Sequence, residues 1–293
     1  MRLRERLAAS AAGLVRRAPR AAATPLAWIV GALLMAAHGR RATLENLERA
    51  FPEWSRIERW RVAFAAYRNT AHAAVEFLHA HKIGDEEMRD RVELVNPEAI
   101  AEAHGGGRGV ILVSGHFGNW EWLGRRVSVE GYRFAALYKE PKGTALAERL
   151  RDQREAAGIP VIDHEDTRAA LRWLRDGGVL GVIMDQEPKR PEDGAVAPLF
   201  GHPTRTHVGP FRLARMTGAP ILSVFARRTG SGRYRARFTP FEPSGDPDPD
   251  RANAADAAAF NARLEAAIRR NPDHWLWMYP RWKRISRGSA VEA

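Results

Sequence analysis

The segment GVILVSGHFGNWEWLG, residues 109–124, places a histidine directly after an apolar run and a glutamate five positions later. On one continuous helix the two side chains would point roughly 140° apart and could not meet. Gly115 and Gly118 permit a tight turn, so that His116 in the turn can face Glu121 in the first turn of a helix. A carboxylate bonded to one imidazole nitrogen fixes the tautomer, and the other nitrogen can then accept a hydroxyl proton. The spacing therefore predicts a His–Glu dyad that acts as a general base.

The hydroxyl on which such a dyad would act is expected to belong to a substrate. The chain has no cysteine and no G-x-S-x-G sequence, so neither of these nucleophile signatures is present. This favours direct transfer to a substrate alcohol over a covalent enzyme intermediate. Taken alone, the motif also fits a structural turn histidine followed by a solvated glutamate.

The elements that must position these residues alternate short apolar runs with helical segments, which indicates an α/β fold. The runs predicted as strands are Val110–Val113, Phe134–Leu137, Val161–Ile162, Val179–Ile183 and Ile221–Phe225. The sequence RYRARF at 233–238 alternates polar and apolar residues and is predicted as an edge strand. We expect a mixed central sheet flanked by helices, with a helical N-terminal part in which Ser55 and Glu58 form a capping box.

Residues 1–40 differ in composition from the rest of the chain. Arginines precede an uncharged stretch, Ala21–Ala37, whose length is at the short limit for a membrane span. We predict a membrane-associating segment at 1–40, as an interfacial or single spanning helix, with a buried helix and a signal peptide as alternatives. A single domain is predicted over 41–293, helical over 41–90 and α/β over 91–293. The basic flanks of this segment are predicted to lie on the cytoplasmic side of the membrane.

The charge of the chain points to an anionic partner. The net charge is +11 over 293 residues. The composition, with 45% hydrophobic and 28% charged residues, excludes a disordered chain. Nucleic acid, an anionic membrane surface and an acidic carrier protein all fit this charge, as does an arginine-rich genome composition.

Seven blocks in chain order resemble the lysophospholipid and lipid A biosynthesis acyltransferase family of the bacterial lauroyl/myristoyl type. They are RRATLENLERAFPEWSRIE (40–58), GVILVSGHFGNWE (109–121), LYKEPKG (137–143), REAAG (154–158), MDQEP (184–188), PLFGHPTRTHVGPFRLARMTGAPIL (198–222) and HWLWMYPRWK (274–283). The resemblance implies a glycerolipid acyltransferase-like fold and an H-x-x-x-x-D/E site with catalytic His116 and Glu121.

The residues expected to contact the substrates are Arg154, Asp185, Tyr138, Glu140 and Asn119. The alternatives are a solvated helix arginine at Arg154 and a surface loop at Asp185. Arg154 would hold a phosphate or stabilise the oxyanion. Asp185 follows a predicted strand and would lie at the mouth of the site, and Asn119 is also a good helix cap. The segment after Tyr138 lacks the arginine that many family members have there, so the acceptor stays open.

The implied reaction moves a fatty acyl group from acyl carrier protein or coenzyme A to a lipid or glycolipid hydroxyl, such as that of a lipid A precursor. It requires no metal and no cofactor beyond the acyl thioester co-substrate. The expected partners are the acidic carrier protein or acyl-CoA and an anionic membrane lipid, without nucleic acid, and the chain is expected to be a monomer. A hydrolase of acyl thioesters or lipids and a non-catalytic lipid-binding protein are the alternatives.

Two further patterns have more than one interpretation. His72, Glu76 and His79 share one helix face at a spacing that metal ligands can use, although packing explains the pattern more simply. The aromatic and basic C-terminal run 275–284 fits membrane-interface anchoring, core packing or binding of single-stranded nucleic acid.

Overall fold

The computed structural model describes residues 3–138 and 145–283. The helices are α1 (Leu3–Arg17), α2 (Ala23–Ala37), α3 (Arg40–Ala50), α4 (Arg56–Leu78), α5 (Asp85–Arg91), α6 (Pro97–Gly105), α7 (Trp120–Val129), α8 (Ala145–Ala156), α9 (Thr167–Arg175), α10 (Gly209–Thr217) and α11 (Pro249–Arg270). The strands are β1 (Val92–Val95), β2 (Val110–Ser114), β3 (Phe134–Tyr138), β4 (Val161–Asp163), β5 (Val179–Ile183), β6 (Gly194–Leu199), β7 (His202–His207), β8 (Ile221–Gly230) and β9 (Arg233–Phe241).

Seven of the described strands form a mixed sheet in the order β1-β9-β8-β2-β5-β3-β4, and β6 and β7 form a separate antiparallel pair. Strands β8, β2, β5, β3 and β4 are mutually parallel, and β9 runs antiparallel to its neighbour β8. The predicted α/β class and mixed sheet are confirmed. Because β2, β5 and β3 are parallel, their carboxyl ends meet at one edge of the sheet, which is where ligands bind in open α/β folds.

The predicted edge position of RYRARF is wrong. This segment lies in β9, which pairs with β8 on one side and with β1 on the other. The polar residues alternate because one face of β9 is exposed, whereas both of its edges are hydrogen-bonded. The short strand β1, which the sequence pattern did not reveal, covers the outer edge.

The C-terminal aromatic residues belong to the core. Trp275, Trp277 and Trp282 are only 1–2% exposed and pack in the main hydrophobic cluster with residues of the sheet and of α11. Core packing is therefore the correct interpretation of this run, and burial excludes these three rings as membrane-interface anchors.

The predicted start of α4 is confirmed, because Ser55 and Glu58 form a reciprocal capping box. The metal interpretation of this helix is not supported by its contacts. The Glu76 carboxylate accepts hydrogen bonds from Arg228 and Tyr234, and Nε2 of His79 lies 2.6 Å from the carbonyl oxygen of Val15.

Within the described residues, one N-terminal segment, Arg20–Ala37, is long and apolar enough to cross a membrane. Its mean hydropathy is 1.5 over 18 residues, and 17% of it is buried. Length and composition alone do not distinguish a span from a helix packed on the protein surface.

Candidate active site

His116 and Asp185 meet because they follow neighbouring parallel strands in the same register. Ser114 at the end of β2 pairs with Ile183 at the end of β5, and each reactive side chain comes two positions later. Nδ1 of His116 lies 2.8 Å from Oδ1 of Asp185, and the His116 backbone N–H donates to Oδ2 at 2.9 Å. The carboxylate thus fixes both the ring and the backbone of the histidine.

Asp185 is held as a buried carboxylate by several donors. Its side chain is 3% exposed, and Oδ2 also accepts a 2.7 Å hydrogen bond from the indole N–H of Trp275. Burial alone would raise the pKa of Asp185, but the charge of His116 and the donors from His116 and Trp275 outweigh it and lower the pKa below its usual value. The carboxylate therefore stays ionised beside the imidazole.

The expected hydrogen bond between His116 and Glu121 is absent from the described structure, so the predicted contact is wrong. Both Glu121 oxygens instead accept from Arg154, at 3.1 Å from Nε and 2.5 Å from Nη2. The reason is geometric. Glu121 lies in the first turn of α7, where the guanidinium of Arg154 reaches both of its oxygens, whereas Asp185 follows the end of the adjoining strand and lies directly beside the histidine.

Arg154 links Glu121 to the predicted substrate residue Tyr138. Its guanidinium carbon lies 4.4 Å from the centre of the Tyr138 ring, and the side chain is 8% exposed. Burial would lower the pKa of Arg154, but the hydrogen bond and charge of Glu121 raise it overall. Nη1 is buried without a hydrogen-bond partner among the described residues. Glu140, the other acidic residue predicted here, lies outside the described residues.

Gly118 makes the turn after His116 possible. Its φ is +60°, and a β-carbon there would lie 1.6 Å from the carbonyl oxygen of Ala226, so only glycine fits. The four consecutive backbone N–H groups from His116 to Asn119 all donate within the protein, to Asp185, Gly115, His274 and Ala226. None of these four amides is free to bind a substrate oxygen.

Asn119 caps α7, as its residue type predicts. Its Oδ1 accepts from the Trp122 N–H at 3.0 Å, and its Nδ2 donates to Glu76 at 3.0 Å. The side chain is fully buried, so both polar groups serve the fold. Direct contact between Asn119 and a substrate finds no support in this position.

A cavity of about 960 Å³ opens beside the His116 imidazole. His116, Glu121, Arg154 and Tyr138 contribute to its polar wall. Its apolar lining includes Phe77, Leu112, Leu123, Phe134, Ala136, Ile159, Val182 and Val224. This volume lies within the range of about 300–1,000 Å³ that is typical of ligand sites. The apolar part of this lining suits an alkyl chain.

Trp275 is a part of the site that sequence reasoning missed. Besides the indole hydrogen bond to Asp185, its segment holds the turn in place: Leu276 N–H donates to the His116 carbonyl at 3.1 Å, and Gly118 N–H donates to the His274 carbonyl at 2.8 Å. The resembling block HWLWMYPRWK contained the signal, but no local pattern indicates which residue an indole N–H will reach.

Comparison with known proteins shows which family the chain resembles. The family model described as bacterial lipid A biosynthesis acyltransferase matches residues 6–284. The chain is 26% identical over 264 residues to the lipid A biosynthesis lauroyltransferase of Escherichia coli K12, covering 88% of this chain and 84% of that protein. It is 29% identical over 259 residues to the lipid A biosynthesis palmitoleoyltransferase of the same strain, covering 87% and 82%.

A further relative is a phosphatidylinositol mannoside acyltransferase of Mycobacterium tuberculosis, which is 28% identical over 182 residues, covering 60% of this chain and 55% of that protein. The family match spans almost the whole chain, including the turn with His116 and the strand end with Asp185. The chain therefore belongs to the bacterial lipid A biosynthesis acyltransferase family.

Proposed function

We propose that this acyltransferase moves a fatty acyl group from an acyl thioester to a hydroxyl of a lipid or glycolipid, such as a lipid A precursor. The observation that carries the proposal is the hydrogen-bonded His116–Asp185 pair beside an apolar cavity. Relatives named for lipid A and for phosphatidylinositol mannoside support a glycolipid acceptor.

In the proposed step, His116 is the general base and Asp185 orients it. A carboxylate can only accept, so Nδ1 carries the proton that lies between His116 and Asp185, and Nε2 is left to accept the proton of the acceptor hydroxyl. The acceptor oxygen attacks the thioester carbonyl, and the carbon–sulfur bond breaks. The leaving thiolate takes the proton back from the imidazolium, so the enzyme ends unchanged.

Arg154 is the proposed donor to the oxyanion or to a substrate phosphate. The amides from His116 to Asn119 are all engaged, whereas Nη1 of Arg154 is buried without a partner in the described structure. Glu121 holds the guanidinium by two hydrogen bonds and so keeps that free N–H in one orientation. In this proposal Glu121 serves the site through Arg154, and Tyr138 and Glu140 contact the acceptor.

The donor is proposed to be acyl carrier protein or acyl-CoA, both of which are acidic and fit the net charge of +11. The proposed location is the cytoplasmic face of the inner membrane, where such a donor meets a lipid acceptor. The apolar N-terminal helix supports this location.

Purified protein incubated with acyl carrier protein or coenzyme A thioesters, with and without a lipid A precursor, tests the proposal. We expect the precursor to gain the mass of one acyl chain, and His116→Ala to abolish this gain while the protein stays folded. Free fatty acid as the only product, formed equally without the precursor, would replace the proposal by the hydrolase alternative. Equal transfer by wild type and His116→Ala would refute the catalytic role. Lipid mass spectrometry of cells with and without the gene then identifies the acceptor and the chain length.

A further inference from the structure

The exposed large apolar side chains of the described structure are concentrated on two packed helices. Trp28, Ile29 and Leu33 of α2 are 45%, 58% and 64% exposed, and Ile57 and Phe64 of α4 are 64% and 37% exposed. The Trp28 and Phe64 rings lie 6.0 Å apart, so the two sets are continuous. We call these five residues the α2–α4 face. A contiguous apolar surface of this kind marks an interaction site.

Helix α2 is docked lengthwise on α4. Ala27 packs with Ala71 and Val75, and a β-carbon at Gly31 would lie 3.0 Å from the Arg68 Cα, so the two backbones approach closely. Further along, Met35 lines a shallow depression of about 620 Å³ together with Ile57, Trp60 and Phe64. One face of α2, with Ala27, Gly31 and Met35, is thus buried against the protein. Trp28, Ile29 and Leu33 lie on its exposed face.

This packing argues against α2 as a membrane span. Helix α2 has 15 residues and is about 22 Å long, shorter than the roughly 30 Å hydrocarbon core. To cross the membrane, α2 would also have to separate from α4, or both helices would have to enter the bilayer together. Helix α4 carries Arg59, Arg61 and Arg68 among its charged residues and cannot enter hydrocarbon.

Arginines surround the α2–α4 face. Arg16 and Arg17 precede α2 and are exposed, and Arg56 and Arg61 flank Ile57 at the depression on α4. The stretch Ala21–Ala37 between the flanks has no charged residue. Apolar side chains with a cationic border match an anionic lipid surface. The acyl region accommodates the apolar side chains, and the phosphates attract the arginines.

We propose that the α2–α4 face is a monotopic membrane-docking surface that lies flat on an anionic phospholipid leaflet. The face inserts its aromatic and aliphatic side chains to the depth of the headgroups, and the arginines stay among the phosphates. The other end of α4 lines the catalytic cavity through Thr70, Ala73, Ala74 and Phe77. One helix therefore connects the membrane surface to the cavity in which a lipid acceptor would bind.

Vesicle flotation of the full-length protein tests this inference without requiring turnover. Wild type is expected to float with vesicles of mixed phosphatidylglycerol and phosphatidylcholine, and less with phosphatidylcholine alone. The double variant Ile57→Ser/Phe64→Ser is expected to bind at least tenfold more weakly, because exposed apolar area is removed without touching the core. Met216→Ser is the matched control, since Met216 is 58% exposed but lies on α10, outside the face.

Charge and topology are tested in the same preparation. Arg56→Gln/Arg61→Gln is expected to weaken binding to the anionic vesicles and to reduce its dependence on salt. Alkaline carbonate is expected to release the bound protein. Resistance to carbonate would establish a spanning helix and overturn the inference. Equal vesicle binding by Ile57→Ser/Phe64→Ser and Met216→Ser would also overturn it. A wild-type dimer that the double variant loses would overturn it in favour of a second copy of the chain.

Vesicle binding and acyl transfer are separate measurements, so a failure of the docking surface can be distinguished from a failure of the proposed chemistry. The His116→Ala protein is expected to bind vesicles as wild type does, because the imidazole lies outside the face. If His116→Ala loses acyl transfer and still binds vesicles, the docking surface is supported. If His116→Ala loses vesicle binding, the claim that the α2–α4 face acts independently of the active site is refuted.

Discussion

Replacing Trp275 by phenylalanine is expected to move the pH dependence of acyl transfer. The indole N–H donates a 2.7 Å hydrogen bond to Oδ2 of the buried Asp185 carboxylate. A hydrogen bond to a charged group contributes roughly 1.5–3 kcal/mol, of which relaxation recovers part. Without this donor the carboxylate is less stabilised and holds the proton shared with His116 more tightly.

The magnitude follows from linkage. A loss of about 1.4 kcal/mol of differential stabilisation corresponds to roughly one pH unit. We therefore expect the acid limb of the kcat/KM profile to move upward by about half to one pH unit, because the His116–Asp185 pair must lose its proton before it can act as a base. The direction is upward since the variant favours the protonated pair.

Trp277→Phe is the matched control for this prediction. The Trp277 ring is also 1% exposed, and its N–H donates to the neutral carbonyl of Pro272 at 2.6 Å. Both variants lose similar ring volume and one buried hydrogen bond, so both lower the free energy of unfolding. Only Trp275→Phe removes a donor from Asp185. Profiles of kcat/KM from pH 5 to 9 that coincide for the two variants, or a downward shift for Trp275→Phe, would refute the reasoning.

Three further perturbations test separate parts of the structure. Gly118→Ala is expected to lower the free energy of unfolding by roughly 2–4 kcal/mol in denaturant titrations, because its β-carbon would lie 1.6 Å from a backbone oxygen; Gly131→Ala, with φ +91° but open space around it, should cost much less. Arg154→Lys is expected to reduce kcat by roughly 10- to 100-fold with a smaller change in KM, since a lysine cannot bond both Glu121 oxygens and present a third N–H; an unchanged kcat would remove Arg154 from the mechanism. Burial lowers the pKa of His72 to about 4, below its usual value near 6.5. As the pH falls from 6.5 towards 4, the unfolded state takes up a proton at this histidine before the folded state does. The free energy of unfolding is therefore expected to fall over this range by roughly 1–2 kcal/mol after allowance for solvent screening. His72→Gln should flatten that part of the stability–pH curve.

The strands that bear the site could be predicted because each is a short apolar run between turn residues. From such runs, the sequence alone places His116 and Asp185 just beyond the carboxyl ends of β2 and β5. Their pairing could not be predicted, because strand order depends on how distant segments cross over the sheet. Only the placement of β5 directly beside β2, in register, brings Asp185 to His116.

Long-range contacts explain the other differences from expectation. Local spacing favoured Glu121 as the partner of His116, yet Arg154, on α8, takes both Glu121 oxygens. Trp275 reaches Asp185 across 90 positions of sequence, which no local pattern encodes. Likewise β9 resembled an edge strand because its polar and apolar residues alternate. This alternation shows that one face of the strand is exposed, but it carries no information about which strands pair with its two edges.

The kinetics of Asp185→Asn test the central claim most directly. Oδ2 accepts two N–H groups in the wild type, from His116 and Trp275, so the amide oxygen of asparagine is expected to occupy that position. The amide NH₂ then faces Nδ1 of His116 and forces the imidazole proton onto Nε2, where it blocks the acceptor hydroxyl. We predict that kcat/KM falls by about 10³- to 10⁴-fold with the fold intact. The double variant with His116→Ala should be no slower than His116→Ala alone, because the two residues act as a unit. Transfer by Asp185→Asn within tenfold of wild type, or losses that multiply in the double variant, would contradict the account.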